Sequence, residues 1–335
     1  MTRALLVHAA GPGVTVQDCG RPGLLSVGLS RGGAADRLAL AEGAALLGQP
    51  IAAALEMAGS GGTFQATEPL RIALTGAPMQ ARAGDRALDW NAAHRIAPDE
   101  RLIIGGARAG VYGYLHVAGG FATEEVMGSR AAHLAARILG RVAAGQRLPV
   151  GPDPDPVALP LRLDTADRCR GGALRLLPTP QTALFSEADR RRFEETSFIR
   201  DTRGNRQGVR LAFEGDPFAA DGQLSLVSEV VQPGDVQMTG DGAPYVLMPE
   251  CQTTGGYPRI GTVHPDDLPV VAQAAPGSTI RLRFVTVEEA LADHPTPEET
   301  LSALKRRLRP LVRDPGDIPD LLGYQLISGV TGGET

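Results

Sequence analysis

The chain has 335 residues, 43% hydrophobic and 4% aromatic, with 42 glycines, 26 prolines and a formal net charge of −5. That length suits two domains, the glycine and proline content favours short elements and many turns, and the dispersed charge excludes a long-range pull on nucleic acid. The start "MTRALLVHAAGPG" reads as no signal peptide, no apolar run is long enough to cross a bilayer, and Cys19, Cys169 and Cys251 lack metal or disulfide spacing, so a cytoplasmic protein is expected.

Short apolar or alternating runs punctuated by glycine predict strands at 4–10, 70–77, 101–107 and 111–120. Among them "DRLALAEGAALLGQP" (36–50) predicts a helix, with Asp36 as N-cap, Gly48 as left-handed stop and Pro50 barring continuation. "MGSRAAHLAARI" (127–138) predicts a second helix. Prolines 149, 152, 154, 156 and 160 then crowd one stretch; each removes an amide donor and holds its predecessor extended. The expected organisation is a first domain over 1–150, a linker over 151–170, a second domain over 171–290 and a helical tail over 291–335.

Beyond the linker, strands are predicted at 173–178, 208–215, 245–250 and 278–287, and a helix at 186–195 begun by Ser186 with Asp189 at capping-box distance. Both halves are therefore mainly β with a few helices. "APDERLII" (97–104) and "APGSTIRL" (275–282) faintly echo each other as an Ala-Pro turn feeding a strand. The tail "TPEETLSALKRRLRPLV" (296–312) predicts a helix capped by Thr296 and Glu299, with Pro297 at its first position and Leu301, Leu304 and Leu308 on one face. Packing of that face within the chain is expected.

Several chemistries fail at the level of spacing. "AGSGG" (58–62) lacks the first glycine of a nucleophile elbow, so Ser60 reads as a turn residue. The histidines at 8, 94, 116, 133, 264 and 294 form no metal-binding spacing, and no metal site is expected. Neither "GPGVTV" nor "GSGGTF" completes a dinucleotide fingerprint. Lys305 is the one lysine among 33 basic residues, which leaves no phosphate-loop lysine and no covalent biotin on this chain.

What remains are polar clusters in glycine-rich surroundings, each with a plain structural alternative. Asp18 and Arg21 flank a turn. "RGGAADR" (31–37) leads glycines into a helix whose free amides could hold an anion beside Asp36 and Arg37, or simply be capped. Ser129 and Arg130 could bind a carboxylate, or mark a helix start. "CQTTGGYP" (251–258) is the fullest: Gln252 and Thr253 offer amide and hydroxyl, Gly255 and Gly256 admit close backbone approach, and Tyr257 can stack; turns collect the same residue types.

Taken together, "TVQDCGRPG" (15–23), "GAADRLAL" (33–40), "LGQP" (47–50), "ALEM" (54–57), "ALTGA" (73–77), "YLHVAGG" (114–120), "GSR" (128–130), "VQPGDVQ" (231–237) and "CQTTGGYP" (251–258) stand in collinear order over residues 15–285. In that order they resemble the biotin-dependent carboxyltransferase-like family, which includes the second subunit of allophanate hydrolase and the C component of 5-oxoprolinase. The resemblance implies two cyclophilin-like β-barrel domains facing each other. It also implies a role in ATP-dependent opening of 5-oxo-L-proline to L-glutamate, with ATP and Mg2+ used by the complex. The implied partners are a cyclophilin-like protein resembling the B component of 5-oxoprolinase and a third, lactam-binding subunit.

Relatives fused in urea carboxylase move a carboxyl group from carboxybiotin to urea, and a bacilli branch antagonises the Kip kinase inhibitor. A carboxyltransferase component and a non-catalytic regulatory partner are therefore the alternatives. The implied site is one groove between the barrels. Asp36, Glu56, Ser129, Arg130 and Tyr257 would be its catalytic residues, with Asp36 or Glu56 orienting water. Asp18, Arg21, Arg37, Arg206, Gln252, Thr253, Gly255 and Gly256 would bind substrate. The chain departs from the family pattern at Gly32, at Ala131 and Ala132, and at Glu250-Cys251.

Overall fold

A computed structural model describes residues 3–223, 226–292 and 294–312. Its first half is built of two sheets. One has six strands in the order Arg147–Pro149, Ala4–Ala10, Ser60–Ala66, Arg101–Ala107, Met79–Ala83 and Arg86–Ala87. The other has seven, in the order Val14–Gln17, Ala54–Ala58, Tyr112–Val117, Leu70–Gly76, Ala92–Ile96, Leu161–Leu163 and Leu308–Pro310. Strand side chains alternate between faces, so each sheet turns one apolar row inward. Leu5, Phe64 and Leu102 from the first sheet meet Leu55, Leu74 and Leu115 from the second in one core, all of them at 0% exposure.

The second half closes into a barrel of Gly171–Leu177, Arg259–Val263, Asp235–Met238, Pro244–Leu247, Gly208–Ala212, Phe198–Gly204 and Thr279–Phe284. Closure leaves no unpaired edge in that sheet. The pairing of Gly171–Leu177 with Thr279–Phe284 is parallel and the others are antiparallel. Aromatics are scarce in this chain, and four of them, Phe193, Phe198, Phe213 and Phe218, pack together at one place with ring centroids 4.8 to 6.2 Å apart. The core continues through the join: Ala34, Ala35, Leu40, Tyr112 and Tyr114 of the first half share a cluster with Val236, Val246, Ile260 and Val271 of the second.

The fold is mainly β, as the sequence pattern predicts. The helix Arg37–Leu47 forms with the anticipated signals: the Asp36 side chain accepts from Ala39 N, and Gly48 adopts φ 67°. It packs on Leu70–Gly76 and on the tail helix Pro297–Lys305. Gly43 lets the helix sit directly on His116, whose ring would lie 2.3 Å from any Cβ placed there.

Three stretches differ from their sequence reading. Residues 127–138 form turns and isolated bridges in place of a helix, because Met127, Gly128 and Arg137 take positive φ and a Val126↔Ser129 bridge closes a tight turn. The tail helix ends at Lys305, and Leu308 enters a strand paired with Leu161–Leu163, so the apolar face follows two elements instead of one helix. Leu161–Leu163, inside the expected linker, is itself a strand of the first half's sheet, and Asp153 accepts from Arg71 at 2.6 and 2.9 Å, binding that segment to the first half. Residues 313–335 of the expected tail lie outside the described residues.

Candidate functional site

The candidate residues fall into four places rather than one groove. The first is a charged network buried across the join. Asp36, as N-cap of the helix Arg37–Leu47, is 0% exposed. Its Oδ2 accepts from Arg168 Nε at 2.7 Å and from Gln273 Nε2 at 2.8 Å, while Oδ1 accepts from Ala39 N at 3.1 Å. Arg168 grips Glu42 with both terminal nitrogens at 2.8 Å. Gln273 also accepts from Val111 N and Tyr112 N, so one side chain of the second half is tied to both a carboxylate and a strand of the first.

Glu56, on Ala54–Ala58, is equally closed: Oε2 accepts from Ala35 N at 2.8 Å and from the Tyr114 hydroxyl at 2.6 Å, and Oε1 accepts from Arg206. Arg206 comes from the barrel half, donates to Gly33 O at 2.5 Å and to Glu250 Oε1 at 2.6 Å, and is 9% exposed. Burial pulls its pKa down, but Glu56 and Glu250 outweigh burial and hold it above its ordinary value. Glu250 in turn accepts from Ala135 N at 3.0 Å. Tyr114 is pushed well above an ordinary phenol, by burial first and by Glu56 next.

These bonds answer the question raised by "RGGAADR". The amides of Ala35, Asp36 and Ala39 at the helix start donate to Glu56, Tyr114 and Asp36. The helix terminus therefore receives the chain's own groups, not an external anion. Two members of the network, Arg168 and Glu42, carry no sequence signal; a charged residue in an alanine-rich helix was the only available hint.

The second place is a cleft of about 380 Å³ between the halves. Arg21, Arg31 and Arg37 line it from one side, and Gln232, Met248, Thr262 and Leu268 are among those lining it from the other. No acidic residue is in its wall. Arg37 is open to solvent at this wall yet surrounded mostly by protein, and its pKa falls to about 10, through desolvation first and the Arg31 charge next. Its guanidinium makes no hydrogen bond or ion pair among the described residues. Arg31 is held through Nε to Cys19 O at 2.9 Å.

Arg21 is 1% exposed and is fixed from behind by Val126 O at 2.8 Å and Ser129 O at 3.2 Å, while its Nη1 finds no partner among the described residues. Burial lowers its pKa and the Asp18 charge works the other way. The carbonyls that fix Arg21 belong to the third place. There Asp18 accepts from Ser129 Oγ at 2.6 Å, from Arg130 N at 2.7 Å and from Gly20 N at 2.8 Å, locking the 126–131 turn. The Arg130 guanidinium goes to Thr123 O and to Glu125 at 3.3 Å. Ser129 and Arg130 thus serve this turn and do not present a joint carboxylate grip.

The fourth place is the loop Gln252–Tyr257. Thr254–Gly255 pairs with Glu229–Val230 as a two-stranded ribbon, and Gln252 Nε2 donates to Gln237 Oε1 at 3.0 Å. At Gly255 a Cβ would lie 2.6 Å from Gln237 Nε2, so a larger residue there would have to displace the end of that side chain. Thr253 O accepts from Val231 N, and Tyr257 is 48% exposed. No hydrogen bond or ion pair among the described residues joins this loop to Asp36 or Arg130, nor is it in the wall of the arginine-lined cleft. Cys251 at its start is buried, which pushes its thiol up to about 12 and removes it as a nucleophile.

The departures from the family pattern sit in structured positions. Gly32 has φ 63° and donates to Pro249 O, Ala131 and Ala132 are 0% and 1% exposed, and Glu250 holds Arg206. Among the described residues no helix is long and apolar enough to cross a membrane.

Residues 27–284 match the family described as carboxyltransferase domain, subdomain A and B. The chain is 33% identical over 315 residues to the C component of 5-oxoprolinase from Escherichia coli strain K12, covering 91% of this chain and 98% of that protein. It is 32% identical over 281 residues to the C component of 5-oxoprolinase from Haemophilus influenzae, covering 82% and 89%. Among solved structures, TTHA0988 aligns with TM-score 0.75 at 29% identity over 84% of this chain, which spans 56% of that longer protein. The Kluyveromyces lactis urea carboxylase aligns with TM-score 0.79 at 22% identity over 93% of this chain and 31% of that enzyme, a likeness of fold.

Proposed function

The chain belongs to the carboxyltransferase domain family, subdomain A and B, and from that premise we propose that it is the C-type component of an ATP-dependent 5-oxoprolinase, converting 5-oxo-L-proline to L-glutamate together with partner subunits. Two relatives that align over most of their length are named as the C component of 5-oxoprolinase. The observation that carries the reading is the cleft between the halves. It has three arginines, no acidic residue in its wall, and one guanidinium, Arg37, without a hydrogen bond or ion pair among the described residues. A small carboxylate is the ligand that such a wall favours, and 5-oxo-L-proline carries one beside an apolar ring. The apolar side, with Leu247, Met248 and Leu268, suits that ring.

In this reading Arg37 and Arg31 meet the carboxylate, or the phosphoryl charge that develops when ATP activates the lactam oxygen. Asp36 and Glu56 are positioning residues: their carboxylate oxygens are engaged by Arg168, Gln273, Arg206 and Tyr114, and they fix where the helix beginning at Arg37 starts. Asp18 and Ser129 position Arg21 through the 126–131 turn. ATP, Mg2+, a cyclophilin-like partner of the B type and a lactam-binding partner complete the proposed complex; no covalent biotin is required on this chain.

The test is reconstitution. The full chain, purified with its cognate partner subunits, is expected to release glutamate from 5-oxo-L-proline when ATP and magnesium are present, and omission of this chain is expected to stop it. Absence of glutamate from the complete mixture, with every component folded, would overturn the proposal.

A further inference from the structure

The histidines have no metal-binding spacing in sequence, yet the fold brings two of them to one carboxylate. His264 ends the barrel strand Arg259–Val263 and begins the turn Pro265–Asp267, and His294 follows the helix Val287–Ala292. His294 Nδ1 lies 3.0 Å from Asp266 Oδ2, and His264 Nδ1 lies 3.7 Å from the same oxygen. All three donor atoms fall within 4.8 Å of one another. Four-coordinate zinc, with bonds of about 2.0–2.2 Å, sets its ligand atoms about 3.3 Å apart, a spacing that the two measured distances bracket.

A second observation concerns the tautomer of His264. Its Nε2 lies 3.1 Å from Ala290 O, and a carbonyl can only accept, so Nε2 carries the proton and Nδ1 keeps its lone pair. Donation of the distal ring N–H to a backbone carbonyl is the arrangement that orients metal-binding histidines. The ring is 2% exposed and held in place, whereas the side chains of His294 and Asp266 are 46% and 33% exposed and leave the site open on one side. Two existing contacts compete with a metal: Asp266 N donates to His264 Nδ1 at 3.2 Å, and His294 Nδ1–H donates to Asp266 Oδ2 at 3.0 Å, so metal binding replaces both and releases the His294 proton to solvent.

We propose that His264, Asp266 and His294 bind a divalent transition metal of the zinc type, with a solvent molecule in the fourth position. The site joins the turn that ends a barrel strand to His294, which lies beyond the helix Val287–Ala292. None of the three residues is in the wall of the arginine-lined cleft, although Pro265 between two of them is. The chemistry of two imidazoles and one carboxylate suits zinc or cobalt and disfavours magnesium or calcium, which prefer all-oxygen sites.

The experiment uses the full chain stripped with chelator. Zinc titration by calorimetry is expected to show one site per chain, and cobalt is expected to give the intense visible bands of a four-coordinate nitrogen and oxygen site. His294→Ala and Asp266→Asn, both at solvent-facing side chains, are each expected to weaken zinc at least 10-fold. They should also abolish the rise in melting temperature that zinc gives the unaltered chain, while His8→Ala changes neither. No saturable zinc binding, or binding that His294→Ala leaves unchanged, would overturn the proposal whatever the outcome of the glutamate assay.

Discussion

Arg168 and Asp36 form a buried ion pair across the join of the two halves, Nε to Oδ2 at 2.7 Å, with side chains 9% and 0% exposed. The pair is not isolated, because the same guanidinium holds Glu42 bidentately and the same carboxylate accepts from Gln273. Burial works against the Arg168 charge, but the two carboxylates more than compensate and raise its pKa. Removing the cation would leave two buried carboxylates without their ion-pair partner, Asp36 keeping only the neutral donors Gln273 and Ala39 N. Arg168→Ala is therefore expected to lower unfolding stability by about 3–5 kcal/mol, and Gln273→Ala by about 1–3 kcal/mol. Urea denaturation measures both, and a change within about 0.5 kcal/mol for Arg168→Ala would show that the network does not hold the halves together.

Arg37 has the opposite character, a cleft guanidinium with no described partner to lose. Arg37→Ala is expected to leave the melting temperature close to that of the unaltered chain and to raise KM for 5-oxo-L-proline about 10-fold or more, as loss of a charge-assisted hydrogen bond does. Steady-state kinetics on the reconstituted complex would decide it. An unchanged KM would remove Arg37 from the binding surface.

His116 supplies a pH dependence with a definite sign. It is fully enclosed, and since Thr75 Oγ1 donates to Ala39 O, the 2.8 Å contact between His116 Nε2 and that hydroxyl places the proton on Nε2. Desolvation lowers its pKa from 6.5 to about 3. Well above pH 6.5 the ring is neutral in folded and unfolded chains and contributes no pH dependence. As pH falls below that value the unfolded chain takes up the proton first, so stability is lost on acidification, with a slope of up to about 1.4 kcal/mol per pH unit for one such group. Burial depresses His94 and His133 in the same direction. Denaturation midpoints are expected to drop between pH 7 and about pH 4, and His116→Gln to reduce that drop, although its stability at neutral pH is lower.

The contact that encloses His116 also tests the packing of the central helix. A methyl group at Gly43 would meet the imidazole at 2.3 Å with no room to slide, because the ring is fixed by Thr75. Gly43→Ala, which in a free helix would be favourable, is expected here to destabilise by about 1–3 kcal/mol. A thermal melt that rises instead would show that the helix can lift from the sheet.

Much of the secondary structure was legible because its causes are local. Asp36 and Gly48 bound a helix wherever they flank an apolar run, and Ser186 and Thr296 cap their helices by the bonds their spacing predicts. The stretch 127–138 misled because alanine and leucine favour a helix, while glycine and two non-glycine residues in left-handed conformation divert the chain into turns. The tail leaves its helical pattern past Lys305, where strand pairing with Leu161–Leu163 competes successfully with helical continuation.

What the sequence determined alone is the mainly β architecture, the helix caps, the family, and the residue types that cluster near glycine-rich turns. What it could not determine is which of those clusters meet. Asp36 pairs with Arg168 and Gln273 across sequence separations of 132 and 237 residues, and Arg206 reaches Glu56 across 150. Such pairings have no local signature, since a buried charge is chosen by the partner that compensates its desolvation, and that partner is brought near only when the barrel closes against the sheets. The same closure sends the Gln252–Tyr257 loop to Gln237 and leaves Arg21, Arg31 and Arg37 around the cleft.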